Sequence, residues 1–306
     1  MNLPPVIRIE PASSCNLRCI HCPTGLGKSP NGIMSLELFN KILVELKSNL
    51  DHVSTVVLYH GGEPLLNINL FEFISQLKSA GIKKIKIVTN GKLFTDTICQ
   101  RIVESGLDEI EISLDGLSQD ESREIRKRSE PQKIINGINY LIQQRKKLQS
   151  SIKITISTTQ FIEDYHTDYN EIRKAPIPGW LNEYKNNGVE IKSNWAIQWP
   201  GGFPSDSTIV HHPLYYTPPK NCSLLSETMT VRANGDVVVC CFDLTSLEVI
   251  GNVEAQSMHE IWNSIKYEDF RKKFLLGKYQ KPCDTCFIVT GPKYLGKNKL
   301  LEVISE

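Results

Sequence analysis

Apolar and polar positions alternate between two periods along the first two hundred residues. Short runs dense in branched and aromatic side chains predict six strands: VIRIEPA (6–12), STVVLYHGGEP (54–64), KIKIVTNGKL (84–93), DEIEISLDG (108–116), IKITISTTQF (152–161) and VEIKSNWAI (189–197). Between them apolar residues recur at helical spacing in 36–50, 70–81, 94–106 and 131–148. Gly81 and Gly106 close the second and third of these stretches, a common way for a helix to stop. Strand and helix in alternation predict a parallel sheet. From about residue 199 the texture changes. WPGGFPSD and HHPLYYTPPK, rich in Pro, Gly and Ser, read as a linker or loop. TMTVRANGDVVVCCFD (228–243) then predicts a hairpin turning at Asn234-Gly235, and MHEIWNSIKYEDFRKKFLLG (258–277) a helical stretch. The expected organisation is one unit over 1–200, followed by a linker and small second unit over 201–306.

Composition narrows the function classes. With 306 residues, 40% hydrophobic, the chain is long enough for a large α/β domain with an appendage. A net charge of +1 without a basic run gives no footprint for nucleic acid or for an acidic membrane surface. No apolar window approaches the ~18 residues of a membrane span, and MNLPPVIRIEP is too polar for a signal peptide. A cytoplasmic protein is expected. Nine cysteines in such a chain point to metal or redox chemistry rather than disulfides. Cys99 stands alone in a helical pattern and reads as a buried small hydrophobe.

The remaining cysteines fall into two groups. Cys15, Cys19 and Cys22, in SSCNLRCIHCPTG, follow the first strand. A cubane cluster normally takes four thiolates, and this run supplies three, so one iron is left open for a ligand that is not protein. A zinc site would want four ligands in two pairs, and His21 sits too tightly between Cys19 and Cys22 to complete a tetrahedron easily. The second group is Cys222, Cys240 or Cys241, Cys283 and Cys286, a set able to saturate a cubane or to hold a structural zinc.

C-x3-C-x2-C after a first strand resembles the signature of the radical S-adenosylmethionine (SAM) superfamily. GGEP (61–64), TNG (89–91) and SLDG (113–116) fall at later strand ends in that family's order. The resemblance implies an α/β fold, an open partial (β/α)6 TIM-like barrel. It also implies SAM and a catalytic [4Fe–4S] cluster on Cys15, Cys19 and Cys22. Gly61, Gly62, Glu63, Asn90, Ser113, Asp115 and Arg126 would line the SAM site, with the His21 backbone near the adenine. Taken bare, Arg126 would read equally well as a solvated helix charge. NGDVVVC, IGNV, MHEIWNS and PCDTC resemble the auxiliary-cluster module of SPASM and twitch-type relatives, a small α+β domain. No cysteine follows Cys286, which favours the shorter twitch form with one auxiliary [4Fe–4S] cluster. Cys240 stands five residues after Gly235, as the family's ligand does, with Cys241 then its packing neighbour.

The spacing 222–240–283–286 is similar to that of radical SAM enzymes that dehydrogenate an aminocyclitol, 2-deoxy-scyllo-inosamine. The function this implies is two-electron oxidation of a small polar molecule such as an aminocyclitol or sugar, the auxiliary cluster taking the electron. A flavodoxin- or ferredoxin-like reductant would be the protein partner. Two other readings compete: a radical SAM maturase of a ribosomally made peptide, and an iron–sulfur electron carrier without catalysis. The first strand begins near residue 6, leaving no room for the leader-binding domain common among peptide-modifying relatives. No residue identifies itself as the base. Asp243, Tyr59 and His60 lie near the expected site loops, yet for each a structural role is the simpler reading, as packing is for Trp195 and Trp199. The stretch 198–221 carries no assignable motif, though loops over barrel mouths often wall a substrate site.

Overall fold

The structure is a computed structural model that describes residues 2–162, 174–201, 208–210, 216–291 and 293–303. Residues 202–207 and 211–215 of the 198–221 stretch, expected as a linker and part of a substrate wall, therefore lie outside the described residues.

Among the described residues, nine strands form one sheet, numbered here in chain order: β1 (Val6–Ile9), β2 (Thr55–Leu58), β3 (Lys84–Thr89), β4 (Glu109–Ser113), β5 (Lys153–Gln160), β6 (Glu190–Trp195), β7 (Thr228–Val231), β8 (Asp236–Val238) and β9 (Val249–Asn252). Their spatial order is β9-β8-β7-β1-β2-β3-β4-β5-β6. The six expected strands are all present, run parallel and stand in sequence order from β1 to β6. Each is shorter than its sequence pattern at the C-terminal end, because EPA, YHGGEP, NGKL and LDG leave the ladder to form loops. The predicted hairpin is present, with Gly235 at φ +85° in its turn. Its first strand, β7, pairs in parallel with β1, Met229 opposite Ile7 and Thr230 opposite Arg8, so the hairpin extends the barrel sheet.

Helices α1 (Leu36–Lys47), α2 (Leu70–Ala80), α3 (Asp96–Glu104), α4 (Gln119–Ile125) and α5 (Pro131–Lys147) lie between these strands. Ser35 and Thr95 start α1 and α3, each side chain accepting from a backbone N–H three residues on. Alternation along the strands then sorts the two faces of the sheet. Ile7, Ile9, Val56, Leu58, Ile85, Ile87, Ile110, Ile112, Ile154 and Ile156 share one core with Phe39 of α1 and Phe73 of α2. The rings of Phe39 and Phe73 stack at 3.9 Å. Cys99 is fully buried on α3, as a small hydrophobe would be. The expected helix over 258–277 is two helices, Met258–Trp262 and Ile265–Leu275. Ser264 breaks it, because its hydroxyl caps the second helix by accepting from the Tyr267 N–H.

The opposite, inward face carries charge. Lys84 and Lys86 of β3 meet Glu109 of β4 at 2.7 and 3.1 Å, and Lys86 also reaches Glu111 at 2.7 Å. Lys192 of β6 approaches Glu111 at 3.4 Å, and Lys153 of β5 pairs with Glu190 at 2.5 Å. Burial alone would raise the Glu109 carboxyl, but the hydrogen bonds and charges of Lys84 and Lys86 outweigh it and bring it to about 2.

A second buried network joins the hairpin to the barrel. Glu10, fully buried just beyond β1, accepts from Arg232 Nε at 3.2 Å, the Ala233 N–H at 3.1 Å, the Gly61 N–H at 2.8 Å and the Ser13 hydroxyl. His60 Nδ1 stands 3.3 Å from the same carboxylate. Arg232, itself buried, continues to the Leu244 carbonyl at 3.0 Å and the Ser246 hydroxyl at 2.6 Å.

Arg232→Met leaves the Glu10 charge buried without its cation and is expected to cost about 3 kcal/mol in urea unfolding; a loss under about 1 kcal/mol would mean the pair does not join the two parts. Glu109, depressed in the folded chain, contributes stability that is complete above about pH 4.5 and fades as pH falls toward about 2. Melting temperatures of wild type and Glu109→Gln between pH 6 and 2.5 should therefore converge at the acid end, and parallel curves would refute the assignment.

Candidate functional site

The loop after β1 carries the first cysteine group. A two-residue ladder, Arg18–Cys19 against Arg126–Lys127, holds it down, with Cys19 opposite Arg126 and the Ile20 N–H on the Ile125 carbonyl at 3.0 Å. The loop turns tightly there: a Cβ on Gly25 would stand 2.5 Å from the Cys19 carbonyl oxygen. Cys15, Cys19 and Cys22 are free thiols within electrostatic reach of one another. Burial pushes the Cys15 thiol up. It pushes that of Cys19 well above the usual range, with the two neighbouring thiols adding and Arg126 opposing. Cys19 is buried and Cys15 and Cys22 are partly so; thiolates gathered there would need cations beside them, which a cluster's irons would supply, and the donor set fits such a group.

Arg126 is buried, not a solvated helix charge. Its Nη1 donates to Asp115 Oδ2 at 2.7 Å, and its Nε is buried without a hydrogen-bond partner. Burial would lower its pKa, but the charges of Cys19 and Asp115 more than compensate and raise it. Asp115 also accepts from the Thr159 N–H at 2.8 Å and faces His21 Nε2 at 3.6 Å. Burial alone would raise its carboxyl; Arg126 and His21 hold it below the ordinary range. His21 Nδ1 is a second buried, unpartnered atom in this group. These orphaned atoms beside three free thiols fit a bound polar molecule.

Glu63 ties the strand ends together. It accepts from the Thr89 hydroxyl at 2.7 Å, the Asn90 N–H at 2.8 Å and the Leu65 N–H at 3.1 Å, leaving one of its roughly four acceptor positions open. Burial nevertheless raises its carboxyl above the usual value. Asn90 turns its amide to Asn16 at 2.8 Å and to the Cys15 sulfur at 3.7 Å. Gly62 is required by the cysteine loop itself, since a Cβ there would lie 2.2 Å from the Ala12 carbonyl oxygen. Gly61 is held by Glu10 through its N–H. Ser113 ends β4 half-buried, and its hydroxyl joins none of these hydrogen bonds.

The second group gathers Cys222 before a short helix (Ser223–Ser226), Cys240 after β8, and Cys283 and Cys286 around one turn of 3-10 helix. Cys286 and Cys222 act on Cys283, Cys222 and Cys241 on Cys286, Cys286 on Cys240, and Cys241 on Cys222, so both Cys240 and Cys241 stand beside the group. Burial pushes the Cys283 thiol up to about 12 and that of Cys286 to about 11. Cys240 accepts from the Phe242 N–H at 3.3 Å. A hydrogen bond from Cys240 outweighs burial at Cys241 and, with Arg8 and His60, holds that thiol below the ordinary range.

Of the candidate bases, Asp243 holds the backbone: its carboxylate accepts from the Leu247 and Glu248 N–H groups at 2.8 and 2.9 Å. His60 belongs to the Glu10 network. Burial raises the Tyr59 phenol far above its usual value, and Cys22, Arg8 and Cys15 all act on it. Trp199 packs, its ring 5.4 Å from that of Phe242. Sequence reasoning missed Glu10, Arg232 and Arg8. The available signal was a charge inside or directly after an apolar strand, as in VIRIE and TMTVR.

Comparison with known proteins agrees with this geometry. The radical SAM superfamily profile matches residues 9–172, and the SPASM profile, an iron–sulfur cluster-binding domain, matches 222–287. Among curated relatives, the GTP 3′,8-cyclase of Desulforamulus reducens is 28% identical over 261 residues, covering 83% of this chain and 74% of the relative. That of Lactiplantibacillus plantarum is 27% identical over 269 residues, covering 77% and 79%. The crystal structure of BtrN in complex with AdoMet and 2-DOIA matches with a TM-score of 0.61 at 20% identity, covering 94% of both chains. Streptococcus suis SuiB bound to precursor peptide SuiA matches with a TM-score of 0.61 at 18% identity, covering 89% of this chain and 67% of SuiB. At such identities the two structures establish a shared fold. The matched profile covers more than half the chain, which thus belongs to the radical SAM superfamily, as an enzyme that takes S-adenosylmethionine and a [4Fe–4S] cluster and carries an iron–sulfur SPASM domain.

Proposed function

We propose that this enzyme removes two electrons from a small polar molecule, such as an aminocyclitol or sugar. Cys15, Cys19 and Cys22 hold the catalytic cluster, and Cys222, Cys240, Cys283 and Cys286 hold a single auxiliary [4Fe–4S] cluster. When bound, these groups and SAM supply a 5′-deoxyadenosyl radical that takes a substrate hydrogen and an acceptor for the electron left behind. The open acceptor position of Glu63 suits the amino group of SAM. Gly61, Gly62, Asn90 and Ser113 line the same strand ends, and the His21 backbone meets the adenine. Arg126, aimed by Asp115 and with Nε unpartnered, suits the SAM carboxylate and offsets thiolate charge. The barrel unit is read as 1–200 and the auxiliary unit as 201–306. The enzyme is placed in the cytoplasm, served by a flavodoxin- or ferredoxin-like reductant. Nine free cysteines suit that compartment, and among the described residues no helix is long and apolar enough to cross a membrane.

The observation that carries the reading is the relation of the two thiol groups. Glu10, holding Ser13 of the first cysteine loop on one side and Arg232 and the Ala233 N–H of the hairpin on the other, ties the first group to the segment that leads into the second. A substrate between the groups would thus meet the radical on one side and the electron acceptor on the other. Peptide modification is the second reading, supported by a likeness to SuiB at the same TM-score as BtrN, though over less of the other chain.

Anaerobically reconstituted protein should hold about eight irons and form 5′-deoxyadenosine with dithionite and SAM. About four irons with intact cleavage would remove the argument for a dehydrogenase. Cys15→Ala should abolish SAM cleavage while retaining about four irons, and retained cleavage would sink the assignment. Cys283→Ala should impair substrate turnover far more than SAM cleavage; normal turnover would exclude the auxiliary cluster as electron acceptor.

A further inference from the structure

The segment that follows the second cysteine group packs on the barrel. Residues 293–303 run across its mouth at the strand ends, where ligands of parallel sheets bind. The Leu295 N–H donates to the Ala196 carbonyl at 2.9 Å, just past β6, and the Leu295 carbonyl accepts from the Ile162 N–H at 3.3 Å, just past β5. The Gln198 N–H donates to the Lys293 carbonyl at 2.9 Å. A short helix (Lys297–Val303) then meets α4, where Lys297 Nζ stands 3.2 Å from Glu121 and 3.1 Å from Glu124.

The apolar side chains beneath the segment form a small core apart from the main one. Leu295 and Leu300, both fully buried, gather there with Ile20, Ile125, Phe161 and Ala196. Three of these four partners border the candidate SAM site. Ile20 lies between Cys19 and His21, and Ile125 directly precedes Arg126. The Phe161 ring meets that of His21 edge-on at 5.6 Å. His21 and Arg126 come from different parts of the chain, and the ladder that joins them, Arg18–Cys19 against Arg126–Lys127, is two residues long. So short a pairing does not hold its position alone. The segment grips both sides of it from behind. Apolar contact has no direction of its own; the backbone bonds of Leu295 and the ion pairs of Lys297 set where the grip falls.

We infer that residues 294–300 are a positioning strap for SAM, holding His21 and Arg126 at the spacing the bound molecule requires. The inference rests on the placing of those two residues at SAM. It extends the site to a segment beyond both matched profiles, the second of which ends at residue 287.

The test is calorimetric titration of anaerobically loaded, oxidised protein with SAM, well below the melting temperature and without reductant, so that SAM stays intact. Lys297→Glu, which sets like charges against Glu121 and Glu124, should weaken SAM binding about 10-fold at unchanged iron content. Leu300→Ala, which leaves a gap under the strap, should weaken it comparably. Lys297→Arg, which keeps both pairs, should bind as wild type does. With dithionite, 5′-deoxyadenosine formation by the two weakened variants should show a raised KM for SAM and a nearly unchanged kcat. Wild-type SAM affinity in both Lys297→Glu and Leu300→Ala overturns the inference. So does a loss of SAM binding that comes only with a loss of iron, which would make the segment a prop for the cysteine loop as a whole. Unchanged SAM binding by an Arg126→Gln variant of full iron content refutes instead the placing of Arg126 at SAM, and leaves the strap acting through His21 and the cysteine loop.

Discussion

The contact on which the rest of the molecule turns is the buried pair of Glu10 and Arg232. One carboxylate receives the hairpin through Arg232 and the Ala233 N–H, the glycine turn through the Gly61 N–H, and the cysteine loop through Ser13. Three segments far apart in the chain therefore meet at a single charge. A buried ion pair gives little net stability compared with apolar packing, because desolvating two charges offsets their attraction. What this pair supplies is position: it fixes where the first cysteine loop stands relative to the strands that lead to Cys240.

The same balance of charge runs along the inward face. The isoleucines of the parallel strands face the helices, and the inner layer is left to lysines and glutamates that pair with one another. Against that background the buried Arg126–Asp115 pair stands out as a place where charge is held for another purpose. The helix-facing side supplies stability and the inward side supplies chemistry, so changes on the two faces should have separable effects.

How much of this was readable beforehand follows the range of each signal. The six parallel strands and four of the helices were legible because each depends on a local period. Helix α4 was not, because QDESREI buries only Ser122 and Ile125 and so offers no apolar stripe. The split at Ser264 was hidden because a hydroxyl cap leaves the apolar spacing on both sides intact. The cysteine groups and the turns at 61–64, 89–91 and 113–116 were legible as motifs, yet the reasons for their residues were not. Gly62 is fixed by the carbonyl of Ala12, far back in the chain, and Glu63 by strand ends to either side. Glu10 and Arg232 lie 222 residues apart; no period in a single sequence links them. Nor could local pattern reveal that the hairpin adds a seventh parallel strand.

That added strand changes what the first strand is. Without β7, β1 would be the outermost strand of a parallel sheet, its N–H and C=O groups open along one side and flanked by Ile7 and Ile9. Natural proteins guard such edges, since they recruit other chains. In this fold the guard is the segment that leads into the second cysteine group. A chain cut short before Thr228 would therefore lose more than a redox module: it would expose an adhesive border, and self-association would follow from backbone pairing alone.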